Sequence, residues 1–127
     1  KPHGWGTYAW PDGQRYTGQS SEGQRTGFGT WTSTDGQRYV GEFVEGMLHG
    51  QGVHIFSDGQ RYVGEYRDNK RNGPGIWTYA NGEKFVGEFK DDVQSGFGIW
   101  YAADGGVKQA GTWENGQLSS SEPSLSR

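Results

Sequence analysis

The chain has 127 residues, a formal net charge of −3, a mean hydropathy of −0.95 and no cysteine, and its 24 glycines stand beside six Trp, seven Tyr and six Phe. An acidic balance disfavours a nucleic-acid binder, and the missing cysteines exclude a disulfide framework, a thiol nucleophile and a zinc–thiolate site, which fits an intracellular protein. No apolar run approaches a transmembrane span, and with 30% hydrophobic residues the rings must supply most of the burial.

In chain order, residues 3–15 read as the second half of a repeat, with Trp5, Tyr8 and Trp10 expected to cap the open edge of the structure that follows. Four full copies, 16–38, 39–61, 62–84 and 85–107, succeed one another without linkers, and 109–118 is a degenerate half copy. Together they make one repeat array over 1–118. Residues 119–127, Ser-rich and without period, read as a flexible tail or linker. The start at Lys1, mid-repeat and without Met, reads as a piece of a longer protein.

Each copy carries the same local signals. An Asp-Gly or Asn-Gly pair at Gly13, Gly36, Gly59, Gly82 and Gly105 is a turn, because Gly accepts positive φ and Asp or Asn tolerates it. Between turns the residues alternate with period two, the strand signature. In Tyr39-Val40-Gly41-Glu42-Phe43 one face carries Tyr, Gly and Phe, and in Gly50-Gln51-Gly52-Val53-His54 one face carries Gly, Gly and His. Folding these strands back through Val44–His49 is expected to set Phe43 by Gly50, Gly41 by Gly52 and Tyr39 by His54, rings against bare glycines.

A lone hairpin is marginal, whereas stacked hairpins bury a shared face. The sequence therefore predicts an all-β protein: an elongated, single-layer antiparallel meander of stacked 23-residue β-hairpins, about ten strands, curved into a groove. No helix is expected.

Tyr-Val-Gly-Glu-Phe, then His-Gly-x-Gly, then Asp-Gly-x-Arg, repeated every 23 residues over residues 3 to about 118, resembles the MORN (membrane occupation and recognition nexus) repeat family. The resemblance implies a β-hairpin per repeat and an elongated grooved sheet. Two places depart from the pattern and are expected to be the least regular. Ser20 and Gln19 replace the Phe43 ring and the Glu42 carboxylate, and the last copy, Ala110-Gly111-Thr112-Trp113, has an insertion and no Glu.

Candidate sites follow from the columns. The Gly-x-Gly pairs lack the Gly-Lys-Ser/Thr of a phosphate loop. Asp12, Asp35, Asp58 and Asp104 recur once per turn and read as turn residues rather than a catalytic pair. His3, His49 and His54 form no metal constellation, so no catalytic, metal or cofactor site is assigned. Arg15, Arg38, Arg61 and Lys84 stand opposite Glu42, Glu65 and Glu88 and are expected to form modest surface ion pairs. Arg67, Lys70 and Arg71 make a local basic cluster, the candidate lipid site.

The ring strip is the first candidate for a partner-binding groove: Tyr16, Tyr39, Tyr62 and Phe85, with Phe43, Tyr66 and Phe89, and Trp31, His54, Trp77 and Trp100. The leading expectation is a non-enzymatic interaction module holding a helix or extended peptide of a protein partner. The alternatives are peripheral association with phosphoinositide or phosphatidic acid, and a targeting domain of a larger enzyme. Open sheet edges also make self-association a candidate.

Overall fold

In the computed structural model, which describes residues 4–121, the described residues form one open antiparallel sheet of eleven strands in sequence order, with no helix among them. The strands are β1 Gly4–Ala9, β2 Arg15–Ser21, β3 Gln24–Thr32, β4 Arg38–Val44, β5 Met47–Ile55 and β6 Arg61–Arg67, then β7 Lys70–Thr78, β8 Lys84–Lys90, β9 Val93–Tyr101, β10 Val107–Glu114 and β11 Gln117–Ser121. Residues 119–121, read from the sequence as the start of a tail, continue β11 instead, pairing Ser121 with Gly111 and Ser120 with Thr112. His3 and the tail positions 122–127 lie outside the described residues.

Two kinds of turn alternate. After Ser33 the chain closes on itself with Gly36 N–H donating to the Ser33 carbonyl, Gly36 at φ 97° and the Asp35 carboxylate accepting from Gln37 and Ser33 side chains. Asp12, Asp58, Asn81 and Asp104 each accept a backbone N–H two residues on. These positions are thus Asx turns, and hydrogen bonds from side chains first (Gln14 to Asp12, Ser33 and Gln37 to Asp35, Gln60 to Asp58) and from the backbone second hold the three carboxylates below their usual range.

The second turn is tighter than the sequence suggested. The reversal expected over Val44–His49 is made by Glu45 and Gly46 alone, at φ 51° and 82°, with Val44 facing Met47. Two successive positive φ values close a two-residue hairpin. That shortens the connection, and a bulge in β5 absorbs the difference. Tyr39 faces His54 and Gly41 faces Gly52, but Phe43 faces Leu48 rather than Gly50. Gly50, at φ 77°, pairs across the other edge with Tyr66.

The bulge gives Glu42 and its first-copy counterpart Gln19 a backbone partner. Glu42 accepts the Gln51 N–H at 3.1 Å, and in the first copy Gln19 accepts the Phe28 N–H at 3.0 Å. An amide freed from the ladder finds its acceptor in a side chain, as a strand interior demands. The opposite-sign ladders do not pair. The ion pairs among the described residues are Arg71–Asp92 and Lys108–Glu83, with His49 Nδ1 4.0 Å from the Asp68 carboxylate. Because Gln19 replaces Glu42 as acceptor, the first copy keeps the same register shift as the others. The last copy is irregular as expected, with shifts at Val107/Gln109 and at Thr112/Trp113.

One face of the sheet is the core. Tyr39 lies flat over Gly41 and Gly52, and its hydroxyl donates to the Glu42 carbonyl at 2.9 Å. Phe43 stands edge-on between Tyr16 and Tyr39, 5.2 Å from each centroid. The same alternation runs on through Tyr66, Tyr62, Phe89 and Phe85 to Trp113, with centroid spacings between 5.1 and 5.6 Å. Edge-to-face geometry puts the positive ring edge on the negative ring face, at about 0.5–1.5 kcal/mol per pair beyond area burial. The other face stays open to water, with Trp5, Phe28 and Phe97 among its exposed rings and Val40, Val63 and Ile76 between them.

Candidate functional site

The eleven candidate groove residues fall into two layers. Tyr16, Tyr39, Tyr62, Phe85, Phe43, Tyr66 and Phe89 are at most 5% exposed, so they form a floor that a ligand does not touch. Trp31, His54, Trp77 and Trp100 are half-buried and lie against that floor. Phe56 and Tyr79 join them. The row is continuous: Trp31–His54 at 6.4 Å, His54–Phe56 stacked at 4.2 Å, Phe56–Trp77 at 5.0 Å, Trp77–Tyr79 at 6.3 Å and Tyr79–Trp100 stacked at 5.3 Å.

Phe56 and Tyr79 were missed because their column reads Trp10, Ser33, Phe56, Tyr79, Ala102, aromatic in only some copies. The spacing of two repeats from Trp10 to Phe56 and of one from Phe56 to Tyr79 was the available signal. The expected edge cap is also divided. Tyr8 stacks on Tyr16, whereas Trp5 and Trp10 are 67% and 42% exposed.

A further column holds the outer row in place. Trp31, Trp77 and Trp100 donate their indole N–H to Gln14, Gln60 and Glu83 at 3.0, 2.8 and 3.0 Å. His54 Nε2 makes the same bond to Gln37 at 3.0 Å. Each acceptor sits just after the preceding Asp-Gly or Asn-Gly turn, so the turn geometry sets the ring position. Polar satisfaction of half-buried rings restricts their rotation, and the surface is organised before any ligand arrives.

His54 also has Tyr66 Oη 3.0 Å from Nδ1. With Nε2–H donating to Gln37, Nδ1 accepts from the Tyr66 hydroxyl, which fits the neutral ring. Burial, and secondarily Arg71, push its pKa below the ordinary value of 6.5. A group that binds its proton more weakly when folded stabilises the fold above the unfolded pKa and loses that contribution as pH falls below it. Between pH 7.5 and 5.5 the melting temperature is therefore expected to fall, and to fall less in His54→Trp, which installs the ring of the other copies. An equal decline in both proteins would show that His54 is not the source.

Three cations stand among the rings. Arg71 lies 4.5 Å over Trp77 and also faces Tyr62 and Phe89. It is held by Asp92, through Nε to the carboxylate at 3.2 Å and Nη2 to the carbonyl at 2.7 Å. Arg25 stands over Phe43 and Lys108 over Trp100. The candidate lipid cluster is thus split: Arg67 and Lys70 are exposed beside the Asp68-Asn69 turn, while Arg71 folds onto the rings and is neutralised.

No group of His, Asp and Glu that could hold a metal ion occurs among the described residues, and no helix there is long and apolar enough to cross a membrane.

A family model described as MORN repeat matches residues 1–15, 16–38, 39–61, 62–84 and 85–107. No curated protein matches the chain.

Proposed function

The chain belongs to the MORN repeat family, whose arrays are in general non-catalytic modules for protein or membrane interaction, and on that footing we propose that it binds a partner polypeptide along its outer ring row. The observation that carries this reading is the unbroken contact from Trp31 to Trp100, part-exposed above a buried floor. Rigid rings lose little entropy on binding, and clustered Trp and Tyr are the commonest anchors of interface energy.

The row crosses from β3 to β9, six strand spacings or about 29 Å. That length matches an amphipathic helix of roughly 19 residues, whose apolar stripe would lie on the rings. Membrane association through phosphoinositide or phosphatidic acid is the weaker reading, since only Arg67 and Lys70 of its three cations face solvent unpaired by Asp92.

Trp77→Ala tests the proposal. Helices of this length, selected from a displayed library for binding to the wild-type chain, are expected to lose at least about tenfold in affinity for the variant. Val63→Ser, on the other face, is expected to leave binding unchanged. Binders insensitive to Trp77→Ala in a folded protein, but weakened by Val63→Ser, would overturn the ring row as the site.

A further inference from the structure

The edge-on rings of the core recur at Phe43, Tyr66 and Phe89, but the first copy has Ser20 at that position. The Ser20 hydroxyl lies 3.0 Å from Tyr8 Oη. Tyr8 belongs by period to the Trp column, yet it lies over Gly6 and stacks on Tyr16 at 6.3 Å and 19°. Tyr8 therefore covers Tyr16 on the side where the other copies have the edge-on ring, and no ring projects from position 20. What remains there is a cavity of about 260 Å³ bounded by Tyr8, Trp10, Tyr16, Ser20, Gly23 and Arg25.

Arg25 is the cross-strand neighbour of Ser20, as Arg71 is of Tyr66. The two arginines differ in their partners. Arg71 has the Asp92 carboxylate, whereas the residue 21 positions after Arg25 is Gly46, whose carbonyl accepts from Nη2 at 2.6 Å. Among the described residues Arg25 has no carboxylate within ion-pair distance. Burial without a counter-charge also lowers its pKa from the ordinary value. The cavity thus joins an aromatic wall to a half-buried guanidinium with unspent donors.

We propose that this cavity binds an aromatic ring bearing a carboxylate, the ring against Tyr8 and Trp10 and the carboxylate on Arg25. A dry cavity of about 150 Å³ is enough for benzene, which leaves room here for a short acidic arm. The ring would pack on the aromatic walls of Tyr8 and Trp10, and the planar guanidinium matches a carboxylate in two parallel hydrogen bonds. Such a group is presented by a free aryl-alkyl carboxylate or by an aromatic residue at a peptide C-terminus. The site uses no ring of the outer row, so it stands or falls separately from the function proposed above.

The test is a titration of 3-phenylpropanoate, followed by the amide and indole N–H resonances of Trp10, Ser20 and Arg25. We expect saturable shifts at about millimolar concentration, the range for a ligand of this size. Removing the charge on either side, with 3-phenylpropanol as ligand or with Arg25→Gln, should weaken binding at least about tenfold. Ser20→Phe places the chain's own ring in the cavity, follows the pattern of the other copies, and should abolish the shifts while keeping the amide spectrum dispersed. A short peptide ending in Phe as free acid, compared with its C-terminal amide, separates the sources. Tighter binding of the acid peptide than of phenylpropanoate indicates a peptide terminus, and equal or weaker binding a free acid. No saturable shift with either acid, or undiminished binding to folded Ser20→Phe, overturns the site.

Discussion

Gly41→Ala is expected to destabilise the protein by about 3 kcal/mol, far more than one methyl group normally does in a sheet. The added Cβ would stand 2.5 Å from the Gln51 carbonyl oxygen and 2.6 Å from the Gly52 Cα. Both are backbone atoms of the paired strand and cannot rotate away. It would also meet Tyr39 Oη at 2.6 Å, so the flat ring has to lift from its slot. Tyr39 touches Phe43, His54 and Tyr66, and the displacement spreads along the core row.

Gly46→Ala in the same hairpin is the control, because its φ is 82° and no atom lies within 4 Å of an added Cβ. It should cost only about 1 kcal/mol, the strain of a left-handed Ala. Urea unfolding of the two variants decides the matter: if Gly41→Ala is no worse than Gly46→Ala, the glycines of the strand interiors are not there for close packing.

Tyr62→Ala should cost more still, about 4 kcal/mol, by emptying a fully buried ring position at the centre of the array. The ring contacts Tyr66 and Phe89 edge-on at 5.2 Å each, lies 6.3 Å from Trp77, and carries Arg71 above it. Neighbouring copies meet through such ring contacts and through strand pairing such as β5 with β6, so removing the ring should weaken the coupling between the two halves of the array and broaden the unfolding transition.

Tyr62→Phe keeps the ring and loses only the hydrogen bond to the Glu65 carbonyl, at 2.9 Å. Phe85 shows that the position accepts a ring without a hydroxyl, so the cost should be about 1 kcal/mol. Burial pushes the Tyr62 phenol pKa up to about 12, so the difference between Tyr62→Phe and wild type should not change with pH below about 10. A Tyr62→Ala protein that melts as sharply and as high as Tyr62→Phe would refute the ring row as the structural spine.

The fold was legible because its signals are local and repeated. Asp-Gly and Asn-Gly punctuation, period-two alternation and glycines opposite rings each act within a single hairpin, and five copies state them in register. What the repeat concealed was any interaction between copies whose residues vary. The Gln14, Gln37, Gln60 and Glu83 column was plain in the sequence as a column, but its bonds to rings 17 residues later depend on how neighbouring hairpins stack. The missed rings Phe56 and Tyr79 share that character.

By itself, then, the sequence determined the all-β class, the 23-residue unit, the Asx turns and the face on which rings meet glycines, since chain chirality and sterics decide these locally. The tertiary structure decided which rings are floor and which are surface. A two-residue turn and the compensating bulge move Phe43 from Gly50 to Leu48, give Glu42 a backbone partner instead of an arginine, and let Arg71 fold over the rings toward Asp92. Those outcomes turn on two residues of register between strands, and register is a property of the stacked sheet rather than of the single repeat.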